Sequence, residues 1–369
     1  MRIQPLSLMT PRTHLVPSLR ELATRVKDNI RSYVDQGWYQ TLAEGIAIYQ
    51  IKKADHVHTG ILALNDIRDF HLGKIKKHEK TLTRREAEYH LLLQEWKSVI
   101  KPVLLTFPAQ PALSAWMQQY TAAHQPSFAL AVPEDGEEHV YWLVTEPTDL
   151  EKVQLMFADI EAVYIADGHH RTTTIANFAQ LPDEERAYLD FSHLFAAFFP
   201  DDQLQILGYH RLMTFANETE ADEHWQMLNN NYHLEPLSAP RLPEKRRELI
   251  VVRSGQCYRL DLSDAARDME ASGPVLDTNL LNDWVFKGLF NVEEVRSDKR
   301  ITYVDGASGL PGMLAATEQT PNAIGFLLHP VSFGELYALS DRNESLPPKS
   351  TWFEPRIKSG FAVYSLEEK

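Results

Sequence analysis

Apolar residues along this chain recur in two periods, and the two rarely mix. Leu19, Leu22, Val26 and Ile30 form one helical stripe, opened by Ser18 with Glu21 three residues later and closed near Gly37. The same signal at Thr83 with Glu86, and at Thr148 with Glu151, predicts two more helix starts, the first leading through Leu91 and Leu92 to Trp96. Helical spacing also fills 220–229, 276–290 and 333–340. Short β-branched and aromatic runs predict strands at 46–51, 60–64, 102–107, 128–132, 140–144, 194–199, 205–207, 301–304, 324–328 and 361–365. Residues 133–136, Pro-Glu-Asp-Gly, turn one strand pair, and Ser254 with Gly255 turns a hairpin between 249–252 and 257–262.

Strands and helices do not alternate strictly, which predicts an α+β (mixed α/β) fold rather than a doubly wound sheet. Two lobes are expected, 1–236 and 248–369, with the polar, proline-bearing stretch 237–247 as the linker.

A hydrophobic fraction of 44% and a charged fraction of 24% are those of a soluble globular protein. The net charge of -14 argues against a general nucleic-acid grip but leaves room for a local basic pocket that takes a small anionic molecule. Cys257 is the single cysteine, so neither an intrachain disulfide nor a thiolate metal cluster is available, and the expected location is cytoplasmic. Residues 1–15 do not fit a signal peptide, and no apolar run approaches the roughly 20 residues of a membrane span. No membrane partner is expected; a homo-oligomer stays open.

The densest chemistry lies at 162–171, where an apolar, β-branched run stops at Asp167 and Gly168 and is followed at once by His169, His170 and Arg171. A plausible helix begins behind them with Thr172. Glycine lets backbone approach a ligand, helix N–H groups face it, and an arginine adds a fixed bidentate charge. A strand–turn–helix junction alone would explain Asp167 and Gly168, but not the clustered His, His and Arg. Phosphate is the natural ligand. This reading fails if the Arg171 guanidinium is locked in an internal ion pair with its neighbouring amides sealed from solvent.

Three further clusters stand out. In 74–80 a lysine-rich run surrounds His78 and Glu79; such a run is ordinarily a solvated face, yet nearby lysines would keep Glu79 ionised for work as a base. Asp298 and Arg300 precede an apolar strand, as an ion pair or as the lining of a cleft. A proline-framed loop carries Lys349, Ser350, Thr351 and Glu354 and could close over a polyanion, with Trp352 and Phe353 as packing anchors; it lacks the upstream glycines of a P-loop. No side-chain metal cage is expected. Mg2+ held mainly by nucleotide phosphates is the more credible metal.

Taken in order, Ile-Lys-Lys-His-Glu at 75–79, Tyr-Ile-Ala-Asp-Gly-His-His-Arg at 164–171, Phe-Pro-Asp-Asp-Gln-Leu at 199–204, Asp-Lys-Arg at 298–300 and Pro-Pro-Lys-Ser-Thr-Trp-Phe-Glu-Pro at 347–355 resemble the hallmark blocks of the domain of unknown function 1015 (DUF1015) family. The Asp-Gly-His-His-Arg turn is similar to the phosphate-binding box of the ParB/sulfiredoxin-like fold, which includes free-serine kinases. The resemblance implies a ParB/sulfiredoxin-like core with an additional C-terminal α+β lobe. A Pro-Tyr-Asp-Val segment found near the start of family members has no counterpart here, which implies an altered substrate or lost activity.

The resulting expectation is phosphoryl transfer between a nucleotide such as ATP and the hydroxyl of a small hydroxy amino acid, serine or phosphoserine-like, as a kinase or in the phosphatase direction. Gly168, Arg171 and Thr172 would hold phosphates, and His169 or His170 would donate to the transferring oxygen. Glu79 or Asp167 would orient or deprotonate the acceptor, and Arg300 or Lys349 would neutralise developing charge. The alternatives are a non-catalytic ATP or CTP sensor and a DNA-partitioning relative.

Overall fold

The computed structural model describes residues 1–54, 56–267 and 275–367. Two compact units emerge: Met1–Gln205 with Pro355–Lys369, and Ile206–Glu354. The first contains β1 (Ile3–Gln4), β2 (Leu6–Pro11), α1 (Leu19–Asp35), β3 (Tyr39–Lys53), β4 (His56–Asp66), α2 (Arg68–His71), β5 (Ile75–Lys76), α3 (Thr83–Trp96), β6 (Ser98–Val99), β7 (Val103–Phe107), α4 (Pro111–Ala123), β8 (Phe128–Val132), β9 (Glu137–Val144), α5 (Pro147–Ala158), β10 (Val163–Asp167), α6 (His169–Phe178) and β11 (His193–Pro200). The second contains β12 (Gln205–Gly208), β13 (His210–Thr214), α7 (Glu218–Tyr232), β14 (Glu235–Pro236), β15 (Glu248–Arg253), β16 (Gln256–Asp261), α8 (Ser263–Arg267), α9 (Asp277–Leu280), the π-helix Leu281–Lys287, β17 (Ile301–Val304), α10 (Gly309–Gln319), β18 (Ala323–Leu327), α11 (Phe333–Asp341) and β19 (Thr351–Glu354). The chain then returns to the first unit with β20 (Tyr364–Ser365).

The expected α+β class holds. In the first unit the described strands form a mixed sheet ordered β5-β10-β7-β11-β4-β3-β9-β8, with β1 on β4 and β2 on β3. Its middle strands are buried on both faces: β7 and all but the first residue of β11 are inaccessible, as continuous apolar runs such as Phe195–Phe199 require. The second unit is built on an antiparallel sheet ordered β14-β16-β15-β18-β13-β17. Phe286, Phe290 and Phe326 pack on one of its faces and Met313 of α10 on the other. The stretch 237–247 lies inside this second unit, between β14 and β15.

Local signals worked where one interaction dominated. Ser18 caps α1 by accepting from the Glu21 N–H, although Glu21 turns to Arg25 instead of completing the box. The hairpin turns on Ser254 (φ 49°) and Gly255 (φ 75°), both left-handed, as a two-residue loop between right-twisted strands demands. Elsewhere the boundaries moved. Thr83 is the first helical residue of α3 and the cap is Leu82; α5 starts at Pro147, after Glu146, so Thr148 lies inside it. The helix expected at 276–290 is a short α-helix running into a π-helix, and strand pairing at 361–365 is confined to Val363, Tyr364 and Ser365.

Candidate functional site

The Asp-Gly-His-His-Arg turn closes the buried strand β10. Pairing with β7 slips by one residue just before it: Ile165 faces Leu105 while Asp167 faces Leu104, so Ala166 is bulged and Asp167 is re-aimed at the strand end. Gly168 follows at φ 112°, in the left-handed region that glycine tolerates. Helix α6 then starts with the Thr172 N–H bonding to the Gly168 carbonyl, which leaves the amides of its first turn outside the helical ladder.

Three other segments converge here. Parallel pairing of β5 with β10 sets Ile75 against Val163 and Lys76 against Tyr164, so the next residues, Lys77, His78 and Glu79, run alongside the turn. His78 packs edge-on against His169 with ring centres 4.4 Å apart, and Glu79 Oε2 lies 3.8 Å from His169 Nδ1. From the start of β7 comes Lys101, whose Nζ donates to Asp167 Oδ2 at 2.7 Å. The C-terminal segment follows that strand, with the Gly360 N–H donating to the Ile100 carbonyl, and brings Arg356 into the field of Asp167 and Lys101.

Arg171 folds back over its own turn. Nη2 donates to Asp167 Oδ2 at 3.1 Å and Nη1 reaches the Lys101 carbonyl at 3.4 Å. A Cβ on Gly168 would sit 2.7 Å from Nη2, so the glycine also makes room for the guanidinium. This is an internal ion pair, but the turn is not sealed. The Asp167 side chain keeps 37% exposure, and Gly168, His170 and Arg171 are only half-buried.

Burial raises the Asp167 pKa, yet Arg171, Lys101 and Arg356 outweigh it and hold the carboxyl well below its usual range. One ionised carboxylate therefore faces three cations, an electropositive surplus in which an oxyanion gains Coulomb energy. Burial lowers Lys101, against the pull of Asp167. It also lowers His169 to about 3, with Asp167 opposing and His170, Arg171 and Lys77 reinforcing, so the ring is neutral near pH 7. His78 is lowered as well, by burial and by His169. His169 Nε2 is buried without a hydrogen-bond partner, a cost that calls for an explanation.

The remaining expected residues are placed as follows. His170 Nδ1 accepts a long 3.4 Å contact from the Leu82 N–H. Thr172 is fully buried and its hydroxyl donates to the Gly168 carbonyl, so it shapes the turn. The other six candidates belong to the second unit. Arg300 chelates the Asp298 carboxylate through Nε and Nη2, two residues away. Lys349 Nζ stands over the Tyr209 ring at 5.0 Å. Buried Ser350 donates to the Pro347 carbonyl at 2.6 Å, Thr351 opens β19, and Glu354 accepts from the Trp352 indole. Behind this loop Arg211, 1% exposed, donates to the Tyr209 and Lys349 carbonyls and stacks on Tyr303 at 4.6 Å.

Lys101 and Arg211 were not anticipated. For Lys101 a signal existed: it is a lone charge inside the apolar run 99–105, and a charge there must find a partner. Among the described residues no group of three or more His, Cys, Asp and Glu is placed to hold a metal, and no helix is long and apolar enough to cross a membrane.

Residues 6–279 match the family described as Protein of unknown function (DUF1015). The chain belongs to that family. Among curated proteins none matches. Solved structures similar to this DUF1015 chain include SbnI with a C-terminal truncation from Staphylococcus aureus, at 12% identity and TM-score 0.42, covering 80% of this chain and 85% of that one. A free serine kinase variant in complex with ADP has 12% identity and TM-score 0.39, with 83% and 92% covered. A conserved hypothetical protein from Pyrococcus furiosus has 13% identity and TM-score 0.34, with 81% and 93% covered. With TM-scores below 0.5, no residue's role follows from them.

Proposed function

We propose that this DUF1015 chain is a cytoplasmic phosphotransferase-type enzyme that holds nucleotide phosphates at the N-terminus of α6 and moves a phosphoryl group to or from the hydroxyl of a small hydroxy amino acid. The likeness of its Asp-Gly-His-His-Arg turn to the ParB/sulfiredoxin-like phosphate box supports placing the core in that class. One observation carries the reading: a helix N-terminus, three cations around one carboxylate, an unpartnered histidine nitrogen and a second, half-exposed carboxylate meet at a single strand end.

In this reading the first-turn amides of α6, with Arg171 and Lys101, hold phosphate oxygens. Asp167 keeps both cations aimed and is too acidic to act as the base. Glu79, with 40% of its side chain exposed, orients the acceptor hydroxyl and takes its proton. Neutral His169 donates from Nε2 to the transferring oxygen, its ring fixed by His78. Asp167 is occupied by cations and Glu79 takes the proton, so Mg2+ arriving with a nucleotide would be held mainly by the phosphates, where it would supply charge neutralisation.

A sensor is the second reading, favoured by one observation: Asp167 already takes hydrogen bonds from Lys101 and Arg171, so an anion that competes for them can switch the turn. Calorimetric titration with ADP, ATP and CTP, followed by turnover with serine and phosphoserine, separates the two. Binding with turnover supports the enzyme, binding without turnover supports the sensor, and absence of binding overturns both.

A further inference from the structure

The strand that ends in the phosphate turn has a neighbour on each side, and the two flanks carry different chemistry. On the β7 side stands Lys101, which with Arg171 donates to the Asp167 carboxylate. On the other side β5 runs parallel to β10, so the chain beyond it brings Lys77, His78 and Glu79 level with the end of β10. Neighbouring strands lie about 4.8 Å apart, which separates the flanks by about 10 Å, room for a phosphate on one and a small second substrate on the other.

Exposure alternates along this second flank with the two-residue period of extended chain. Lys77 is exposed, His78 is buried against His169, and Glu79 is half-exposed, so Lys77 and Glu79 share the open side. Both act at His169: Glu79 Oε2 lies 3.8 Å from its Nδ1, and Lys77 is among the charges that bear on the ring. Lys77 is also set in place without being neutralised. Its ammonium stands 5.7 Å from the centre of the Phe70 ring, a cation–π contact, and among the described residues no carboxylate pairs with it. Lys74, three residues earlier, is by contrast 3.9 Å from the buried Asp69 carboxylate. The run 74–80 holds four lysines to one glutamate, so a second carboxylate arriving beside Glu79 still meets a net positive field.

We propose that Lys77 selects the acceptor, by binding an acid group carried close to the hydroxyl that Glu79 orients. The proposal rests on phosphoryl transfer at this turn and adds a substrate class to it: alcohols that carry a carboxylate, with the same alcohols lacking that group as poor acceptors.

Two matched pairs differ only in the carboxylate: serine against 2-aminoethanol with ATP, and phosphoserine against O-phosphoethanolamine with ADP. The parent should favour the carboxylate-bearing member of at least one pair by about tenfold or more in kcat/KM, the worth of one hydrogen bond to a charged group. Lys77→Met should remove that preference by raising KM for this member about tenfold with kcat nearly unchanged, the signature of lost binding and not of lost chemistry. It should leave ADP affinity unchanged, and Lys77→Arg should keep the preference. Lys77 is exposed, so neither substitution disturbs the core. Calorimetry with ADP gauges the underlying reading. If ADP fails to bind the parent, or binds Arg171→Ala equally well, the phosphate turn is misassigned and this proposal falls with it. If ADP binds through Arg171 but the parent uses neither pair or shows no preference within them, or if the preference survives Lys77→Met, this proposal alone is overturned.

Discussion

The Arg171 guanidinium crosses Gly168 to bring Nη2 within 3.1 Å of Asp167 Oδ2, so the residue expected to grip phosphate is held in place by the residue that opens its own turn. The pair sets the geometry of the site before any ligand arrives. Lys101, on the same carboxylate oxygen, adds a second fixed charge.

Removing either cation should therefore weaken anion binding. Arg171→Ala is expected to cost about 1.5–3 kcal/mol in ADP affinity, the range for a hydrogen bond to a charged group, and Lys101→Met a similar amount. Calorimetry checks both; unchanged affinity in Arg171→Ala means phosphate binds elsewhere.

Gly168→Ala tests the turn itself. The substitution forces a side chain into φ 112° and sets its Cβ against Arg171 Nη2. Strain of this kind costs about 1–3 kcal/mol, so urea unfolding should show a loss of that size, together with weakened ADP binding. A variant as stable as the parent would show that the turn adopts another conformation.

The sequence revealed this turn because its chemistry is contiguous: an acid, a glycine, two histidines and an arginine end an apolar run. It also placed β8, β17 and the 254–255 hairpin, where local propensity and tertiary pairing agree. What stayed hidden was set by pairing between distant segments. Nothing local says that β5 runs beside β10, or that Lys101 and Arg356 face Asp167. Helix α10 escaped notice because Gly309, Pro311 and Gly312 read as breakers, yet Gly312 lies so close to Ser308 Cβ that a side chain would not fit. Helix α4 was missed although Pro111 occupies its first turn and Leu113, Trp116 and Met117 are its buried face. The sequence also carried no hint that the proline-framed loop at 347–351 is tied down from behind by buried Arg211, which takes the Pro348 and Lys349 carbonyls.

Arg211→Met should show how much that arrangement matters. Methionine keeps the apolar stem but takes the donor from the Tyr209 and Lys349 carbonyls, both part-buried, at about 1 kcal/mol each. Urea denaturation should register a destabilisation of about 2 kcal/mol, and hydrogen exchange should show earlier opening at 347–350. Arg211→Lys should rescue only part, since an ammonium cannot reach both carbonyls with a planar fork. Full stability in Arg211→Met would assign the loop's order to the Tyr209, Trp352 and Tyr303 rings instead.

The acid sensitivity of folding should carry a signature from His169. Its folded pKa is depressed to about 3 by burial, against 6.5 for an ordinary histidine. Between those values the unfolded chain binds the proton and the folded chain does not, so protonation favours unfolding and stability falls as pH drops below about 6.5. For one such group the loss between pH 7 and pH 5 is about 2 kcal/mol. Asp167 works in the same direction at lower pH, because its depressed pKa stabilises the fold above the ordinary carboxylate range and that contribution fades as pH falls further. Urea unfolding at pH 7, 6 and 5 of the parent and of His169→Gln measures the difference. The variant should be less steep by about 2 kcal/mol over this interval. Parallel curves would mean that His169 takes up its proton in the folded chain, which would remove the neutral imidazole on which the proposed donation from Nε2 depends.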